Sequence, residues 1–183
     1  MDLQVRKAFE SDKQAISDVV IAAFGDVEGQ EIADLISELL VDPSAQPLFS
    51  LVASADNKVV GHILFTRAQI KHSQRKVSTE ILAPLAVHPE YQRQGIGRQL
   101  IEEGLKQLKA TGVELVFVLG HPSYYPKFGF SAAGIKGFDA PYPIPPENSG
   151  AWMVLELQPG IIELSSGQVT CADALNDPKY WRD

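Results

Sequence analysis

A short segment with two glycines and two arginines, Gln92 to Arg98, carries the strongest chemical signal in the sequence. It follows an apolar run that ends at Val87 and precedes an amphipathic stretch. The first N–H groups of a helix have no partner within that helix, and the helix dipole favours an anion beside them. Gly95 and Gly97 allow a ligand to approach the backbone closely. The segment therefore predicts a diphosphate or polyphosphate site at a helix N-terminus.

Other glycine-rich patterns fit this segment less well. A P-loop requires G-x-x-x-x-G-K-[ST], which does not occur, so an ATP cradle is only a weak alternative. A dinucleotide fingerprint requires a third glycine where this sequence has Leu100. A plain connecting turn stays open, although such turns are usually shorter and need no basic residues on both sides of their glycines.

A second group of residues could move protons. Tyr124 and Tyr125 follow the apolar run Leu115–Leu119, and His121 lies between that run and the tyrosines. Glu80 opens the apolar run before the glycine segment. Phenol, imidazole and carboxyl groups are the usual general acids and bases. Simpler roles remain open for each of them, namely a packed tyrosine, a turn histidine and an exposed carboxylate at a strand end.

Two motifs in this order resemble those of the GNAT superfamily of N-acetyltransferases. Gln92-x-x-Gly95-x-Gly97 resembles the pattern [QR]-x-x-G-x-[GA], and Tyr125-Pro-Lys-Phe-Gly-Phe130 resembles Y-x-x-[FL]-G-F. The runs Leu-Ala-Pro-Leu-Ala-Val, Val-Leu-Gly-His-Pro-Ser-Tyr-Tyr and Trp-Met-Val-Leu-Glu-Leu most resemble the bacterial YhbS-like subgroup of predicted acetyltransferases. The resemblance covers residues 3 to 157. It implies direct transfer of an acetyl group from acetyl-CoA to a primary amine of a small molecule or a protein, without a metal.

The resemblance also implies roles for individual residues. Tyr125 would protonate the departing thiolate, because a phenol has a pKa of about 10, somewhat above that of a thiol. Tyr124 is the alternative acid, and Glu80 would be the base, acting directly or through water, with His121 as a less favoured candidate. The N–H of Val87 would polarise the thioester. The cofactor-binding residues implied are Leu85, Ala86, Val87, Gln92, Arg93, Gln94, Gly95, Ile96, Gly97, Arg98 and Tyr124.

Hydrophobic periodicity predicts an α/β chain with the order β-α-α-β-β-β-α-β-α-β-β. The resemblance implies the GNAT fold, an α/β (α+β) architecture with a mixed, mostly antiparallel sheet of about six to seven strands flanked by helices. Residues 1–158 would form this domain. Periodicity is weak from Pro159 onward, so residues 159–183 are predicted to be a C-terminal extension of the same domain or a loosely packed tail.

Bulk composition limits the classes of function. The chain has 183 residues, of which 45% are hydrophobic, and a net charge of −7 that argues against a nucleic-acid partner. The acidic balance is compatible with a cationic substrate such as an amine. The single cysteine excludes an intrachain disulfide, and no apolar run is long enough for a membrane span. We expect a cytoplasmic monomer or homodimer without a membrane partner.

A non-catalytic alternative stays open at this point. The same fold could serve as an acyl-CoA-binding sensor or interaction module, because fold does not determine function. The intact glycines and Tyr125 favour the enzyme. The acceptor is expected to be recognised by the first two helices and by two loops, residues 67–78 and 137–149, whose sequences identify no particular amine.

Overall fold

Residues 1–182, the part of the chain that the computed structural model describes, contain nine strands and four α-helices. The strands are β1 (Leu3–Lys7), β2 (Phe49–Ala55), β3 (Lys58–Ile70), β4 (Thr79–Val87), β5 (Leu115–Leu119), β6 (Ser131–Ala132), β7 (Phe138–Asp139), β8 (Trp152–Glu156) and β9 (Gly167–Thr170). The helices are α1 (Lys13–Phe24), α2 (Asp26–Leu40), α3 (Ile96–Ala110) and α4 (Ile161–Leu164). Within this part of the chain, no helix is long and apolar enough to cross a membrane.

Seven strands lie side by side in the order β1-β2-β3-β4-β5-β8-β6, and β9 joins β3 at one end. All neighbours in the seven-stranded order are antiparallel except β4 and β5, which are parallel. The short β7 pairs with β9 in parallel. The predicted mixed, mostly antiparallel sheet flanked by helices is therefore confirmed.

Helices cover both faces of the sheet, which explains the almost continuous apolar character of the central strands. The helices α1 and α2 bury residues such as Val20 and Leu39 on one face, and α3 buries Leu100 and Ile101 on the other. The α3 stripe includes Gly104, where a Cβ atom would overlap the Phe65 ring. Glycine at this position lets the helix approach the sheet closely.

The pairing of β4 with β5 ends halfway along β4. Only the four residues Thr79–Leu82 pair with Leu115–Val118, whereas β4 continues to pair with β3 as far as Val87. A bulge accompanies this change, because Leu82 lies opposite Phe65 and Leu85 lies opposite Ile63. The ends of β4 and β5 therefore diverge and leave a gap between them.

The segment after Pro159 contributes to the core, although its sequence shows little periodicity. Trp181 is buried, donates from its indole Nε1 to the Leu175 carbonyl at 3.1 Å, and packs edge-on against Trp152 with ring centroids 5.7 Å apart. Val169 in β9 is also buried. Two alternatives are predicted for residues 159–183, and Asp183 lies outside the described residues. For residues 159–182 this packing supports an extension of the same domain, which stays a prediction.

Gly104→Ala is expected to destabilise the protein by about 1–3 kcal/mol, because the new methyl group would overlap the Phe65 ring. Thermal denaturation measures the change as a fall in Tm. Gly134→Ala is the matched control, since a Cβ added there would meet nothing within 4 Å and the φ of Gly134 is ordinary. Phe65→Leu in the Gly104→Ala background should recover part of the loss, and equal stability of the two alanine variants would contradict the close approach of α3.

Candidate functional site

The gap between β4 and β5 opens into a cleft of about 1290 Å³. Its walls come from the diverging strand ends, the two adjacent tyrosines, one face of α2 and the C-terminal segment. A second cavity of about 530 Å³ lies over the N-terminus of α3. The two cavities are adjacent, because they share the lining residues Leu85, Gln92, Arg93, Tyr124 and Lys127.

The backbone of β4 presents hydrogen-bonding groups to this gap. The N–H of His88 donates to the Val60 carbonyl at 2.8 Å, which fixes the alternation of hydrogen bonds between β4 and β3. Ala86 consequently directs its N–H and C=O toward β3, whereas Leu85 and Val87 direct theirs toward the side that β5 has left. Leu85 and Val87 thus direct backbone groups into the gap, and their binding of pantetheine stays a prediction. The Ala86 backbone is paired with β3 and its side chain is buried, so it presents neither to the gap.

The glycine segment, Gln92 to Arg98, forms a turn that leads into α3, and no side chain caps the N-terminus of that helix. Gln92 donates from Nε2 to the Val87 carbonyl at 3.0 Å, so its side chain secures the turn to β4. Arg93 and Gly95 both have positive φ, at 63° and 80°. The helix α3 begins at Ile96, and no side-chain hydrogen bond caps its N-terminus. Its first N–H groups are thus available to an anion, as the motif predicts.

The other predicted residues of the segment have unequal positions. Ile96 is buried and anchors α3 in the core, so only its backbone is available to a ligand. Arg93 and Arg98 line the cavity above α3, together with Lys127. Gln94 lies outside both cavities. Three cations beside a helix N-terminus suit a di- or polyphosphate, because charge and dipole have the same sign.

The two tyrosines serve different parts of the cleft. The Tyr124 hydroxyl lies over the first turn of α3, 2.8 Å from where a Cβ on Gly97 would be. Tyr125 is buried and lines the cleft, and its ring occupies the space that a Cβ on Gly120 would need. Burial raises the pKa of the Tyr125 phenol well above its usual value, so its hydroxyl stays protonated at neutral pH. Both tyrosines line the cleft, and the choice of Tyr125 as the acid stays a prediction.

Glu80 does not join this site. It lies where β4 is still paired on both sides, with Arg67 opposite on β3 and Val116 opposite on β5, and it lines neither cavity. Burial raises the pKa of its carboxyl to about 9, which the nearby Arg67 only partly offsets. One carboxyl oxygen, Oε1, has no hydrogen-bond partner. A carboxyl that is already protonated cannot accept a proton at neutral pH, so the structure argues against Glu80 as the base.

His121 lines the cleft but is also poorly arranged as a base. Its Nδ1 accepts a hydrogen bond from the Ser123 N–H at 3.3 Å and lies 2.8 Å from the Ser123 hydroxyl. The neutral imidazole therefore carries its proton on Nε2, which makes Nε2 a donor.

The sequence did not identify which residues of α2 and of the C-terminal segment line the cleft. Glu28, Glu31, Ile32 and Leu35 line it from α2, and Leu175, Lys179 and Tyr180 line it from the C-terminal segment. The helical spacing of the α2 residues indicates a common face but not what that face covers. Among residues 1–182, no group of three or more His, Cys, Asp or Glu side chains could hold a metal ion.

Comparisons with known proteins agree with this geometry. Residues 4–133 match the family model described as an acetyltransferase (GNAT) domain. The chain is 47% identical to the uncharacterized N-acetyltransferase YjhQ of Escherichia coli K12 over 165 residues, which cover 90% of this chain and 89% of that protein.

Two solved structures extend the similarity to the fold. One is the GNAT family N-acetyltransferase YhbS from Escherichia coli in complex with CoA, with a TM-score of 0.85 and 27% identity over 96% of this chain and 92% of the other. The second is a GNAT family acetyltransferase from Brucella melitensis in complex with acetyl-CoA. Its TM-score is 0.75 at 29% identity, over 95% of this chain and 98% of the other.

Glu80→Gln is expected to raise Tm at pH 8 and to have less effect at pH 5. The folded chain keeps the Glu80 proton up to about pH 9, whereas the unfolded carboxyl releases it near its ordinary pKa of 4.5. Between these two pKa values the unfolded state binds fewer protons than the folded state, so the stability of the wild-type protein falls as the pH rises. The amide of Glu80→Gln does not titrate, so the variant does not lose this stability.

Thermal denaturation at the two pH values measures the effect. Glu114→Gln is the control of opposite sign, because the hydrogen bond from Arg75 lowers the pKa of Glu114 and its removal should cost stability at pH 8. A lower Tm for Glu80→Gln at pH 8 would show that the ionised carboxylate is stabilised in the fold.

Proposed function

This chain belongs to the GNAT acetyltransferase family, and on that premise we propose that it transfers an acetyl group from acetyl-CoA directly to a primary amine of a small molecule or protein. The gap between β4 and β5 carries the proposal, since it ends at the uncapped N-terminus of α3. A donor with an extended amide arm and a pyrophosphate fits this combination. The exposed N–H and C=O groups suit the arm, and the helix terminus suits the phosphates.

Residues on each side of the gap divide the work of donor binding. The Leu85 N–H would bind the pantetheine arm as a neighbouring strand would. The pyrophosphate would be bound by backbone N–H groups at the start of α3, with Arg93, Arg98 and Lys127 supplying positive charge. Gln92 would act by holding the turn in place through the Val87 carbonyl, rather than by touching the donor.

Acetyl transfer then needs two groups from the chain. The Val87 N–H would donate a hydrogen bond to the thioester oxygen, which stabilises negative charge as the neutral amine attacks the carbonyl carbon. A C–N bond forms and the C–S bond breaks. Tyr125 would donate its phenolic proton to the departing sulfur, and the amine nitrogen would release its proton to water in the open cleft. Water would then return a proton to the Tyr125 phenolate. This scheme assigns no side chain as the base.

One observation keeps the non-catalytic alternative in view. Neither Glu80 nor His121 is arranged to accept a proton, so an acyl-CoA sensor on this fold is the second candidate. A measurement of turnover distinguishes the acetyltransferase from the sensor, because a sensor has none. Retained turnover in Glu80→Gln would agree with transfer to solvent, whereas its selective loss would restore Glu80 as the base.

The purified chain is expected to bind acetyl-CoA with micromolar affinity in calorimetric titration. ATP is the control ligand, because it offers phosphates without the pantetheine arm that the gap would accommodate. Reversing the charge at the turn with Arg93→Glu should weaken acetyl-CoA binding at low ionic strength, while Lys58→Glu at the start of β3 should not. No acetyl-CoA binding by folded protein would refute both candidate functions.

Tyr125→Phe is expected to lower kcat by about 10²-fold with little change in acetyl-CoA affinity, because it removes a proton donor and keeps the ring packed against Gly120. Free thiol release in the presence of an amine acceptor measures kcat, and calorimetry measures affinity. Tyr142→Phe, on the loop that follows β7, is the matched control. Unchanged kcat in Tyr125→Phe would exclude the phenol as the acid.

A further inference from the structure

Charges of opposite sign line different walls of the cleft. Arg93 and Lys127 also line the cavity over α3, where the phosphates are expected. Glu28 and Glu31 line only the larger cleft and come from α2. The acidic α2 wall lies outside the expected phosphate site and is therefore available to the acceptor. Its negative charge favours a cation.

The two carboxylates lie on the face of α2 that lines the cleft. Glu28, Glu31, Ile32 and Leu35 follow the spacing i, i+3, i+4, i+7, which places them on one helical stripe. The glutamates are exposed and Leu35 is buried, so the stripe runs from a charged outer end to an apolar inner end. Asp34 faces elsewhere and accepts a hydrogen bond from Gln30 at 2.9 Å.

The chain itself supplies a primary ammonium to this wall. Lys179 Nζ lies 3.4 Å from Glu31 Oε1 and 5.1 Å from the centre of the Tyr180 ring. A carboxylate beside an aromatic face is a good environment for an alkylammonium ion. Both partners of the ion pair are about half exposed, at 42% and 47%, so it contributes little stability and is easily exchanged.

We propose that Glu28 and Glu31 bind a distal ammonium group of the acceptor in exchange for Lys179, so that the preferred acceptor is an alkyldiamine or another primary amine with a second cationic group. The inference rests on the proposed acetyl transfer. The reacting amine must be neutral beside Val87 and Tyr125, so the ammonium ion bound at α2 is a different group of the same molecule. The apolar stripe of Ile32 and Leu35 would contact the carbon chain between them.

Three amines of equal length test the proposal. In 1,5-diaminopentane, 5-amino-1-pentanol and 5-aminopentanoate the reacting end is constant and the distal group is positive, neutral or negative. Calorimetric titration into the full chain saturated with CoA measures binding without turnover. The diamine is expected to bind at least about tenfold more tightly than the alcohol, with the aminopentanoate weakest, and high salt should reduce the difference.

Variants assign the preference to the named residues. Glu31→Gln should reduce diamine affinity by about tenfold and leave the alcohol unchanged, and Glu28→Gln should have a similar or smaller effect. Lys179→Met should tighten diamine binding, because it removes the competing ammonium, whereas a purely structural ion pair predicts no gain. Asp34→Asn is the matched control, since its carboxylate lies on α2 outside the cleft.

The outcomes also separate this inference from the proposed function. Equal binding of the three amines, binding of none, or an unchanged preference in Glu31→Gln would overturn the diamine subsite. Acetylation of the alcohol or the aminopentanoate in preference to the diamine would overturn it too, while leaving acetyl transfer intact. Tight diamine binding without acetyl-CoA binding would instead refute the transferase and retain the cation subsite.

Discussion

The loss of pairing between β4 and β5 is the constraint on which the rest of the site depends. Backbone N–H and C=O groups inside a sheet need partners, and a strand that parts from its neighbour leaves them available. Here β4 keeps β3 as a partner up to Val87 but loses β5 after Leu82. The free edge at the end of β4 can therefore form hydrogen bonds with a ligand that has amide groups, as the proposed donor site requires.

Neighbouring elements preserve that opening and give it direction. Gln92 ties the glycine turn to the Val87 carbonyl, so the end of β4 and the start of α3 are fixed relative to one another. The absence of side chains at Gly97 and Gly120 makes room for the rings of Tyr124 and Tyr125. An uncapped helix N-terminus, a hydrogen-bonding strand edge and a protonated phenol therefore line two adjacent cavities.

Local features of this arrangement could be predicted from sequence, and features set by distant contacts could not. The turn before α3 could be predicted from Gly95 and Gly97, because a positive φ at the first and the close approach of Tyr124 to the second both favour glycine. The burial of Glu80 could not be predicted, since it depends on where β5 stops pairing, which no residue near Glu80 encodes. The buried role of Trp181 escaped prediction because an irregular segment has no periodicity, and its burial arises from contact with Trp152.

Hydrogen exchange of single backbone amides is the sharpest test of the gap between β4 and β5 as the donor site. We predict that acetyl-CoA slows exchange at Leu85 and Val87 and in the first turn of α3, while Ala86, already paired with β3, changes little. Protection elsewhere, with Val87 and the first turn of α3 unaffected, would contradict the assignment of this gap to the donor.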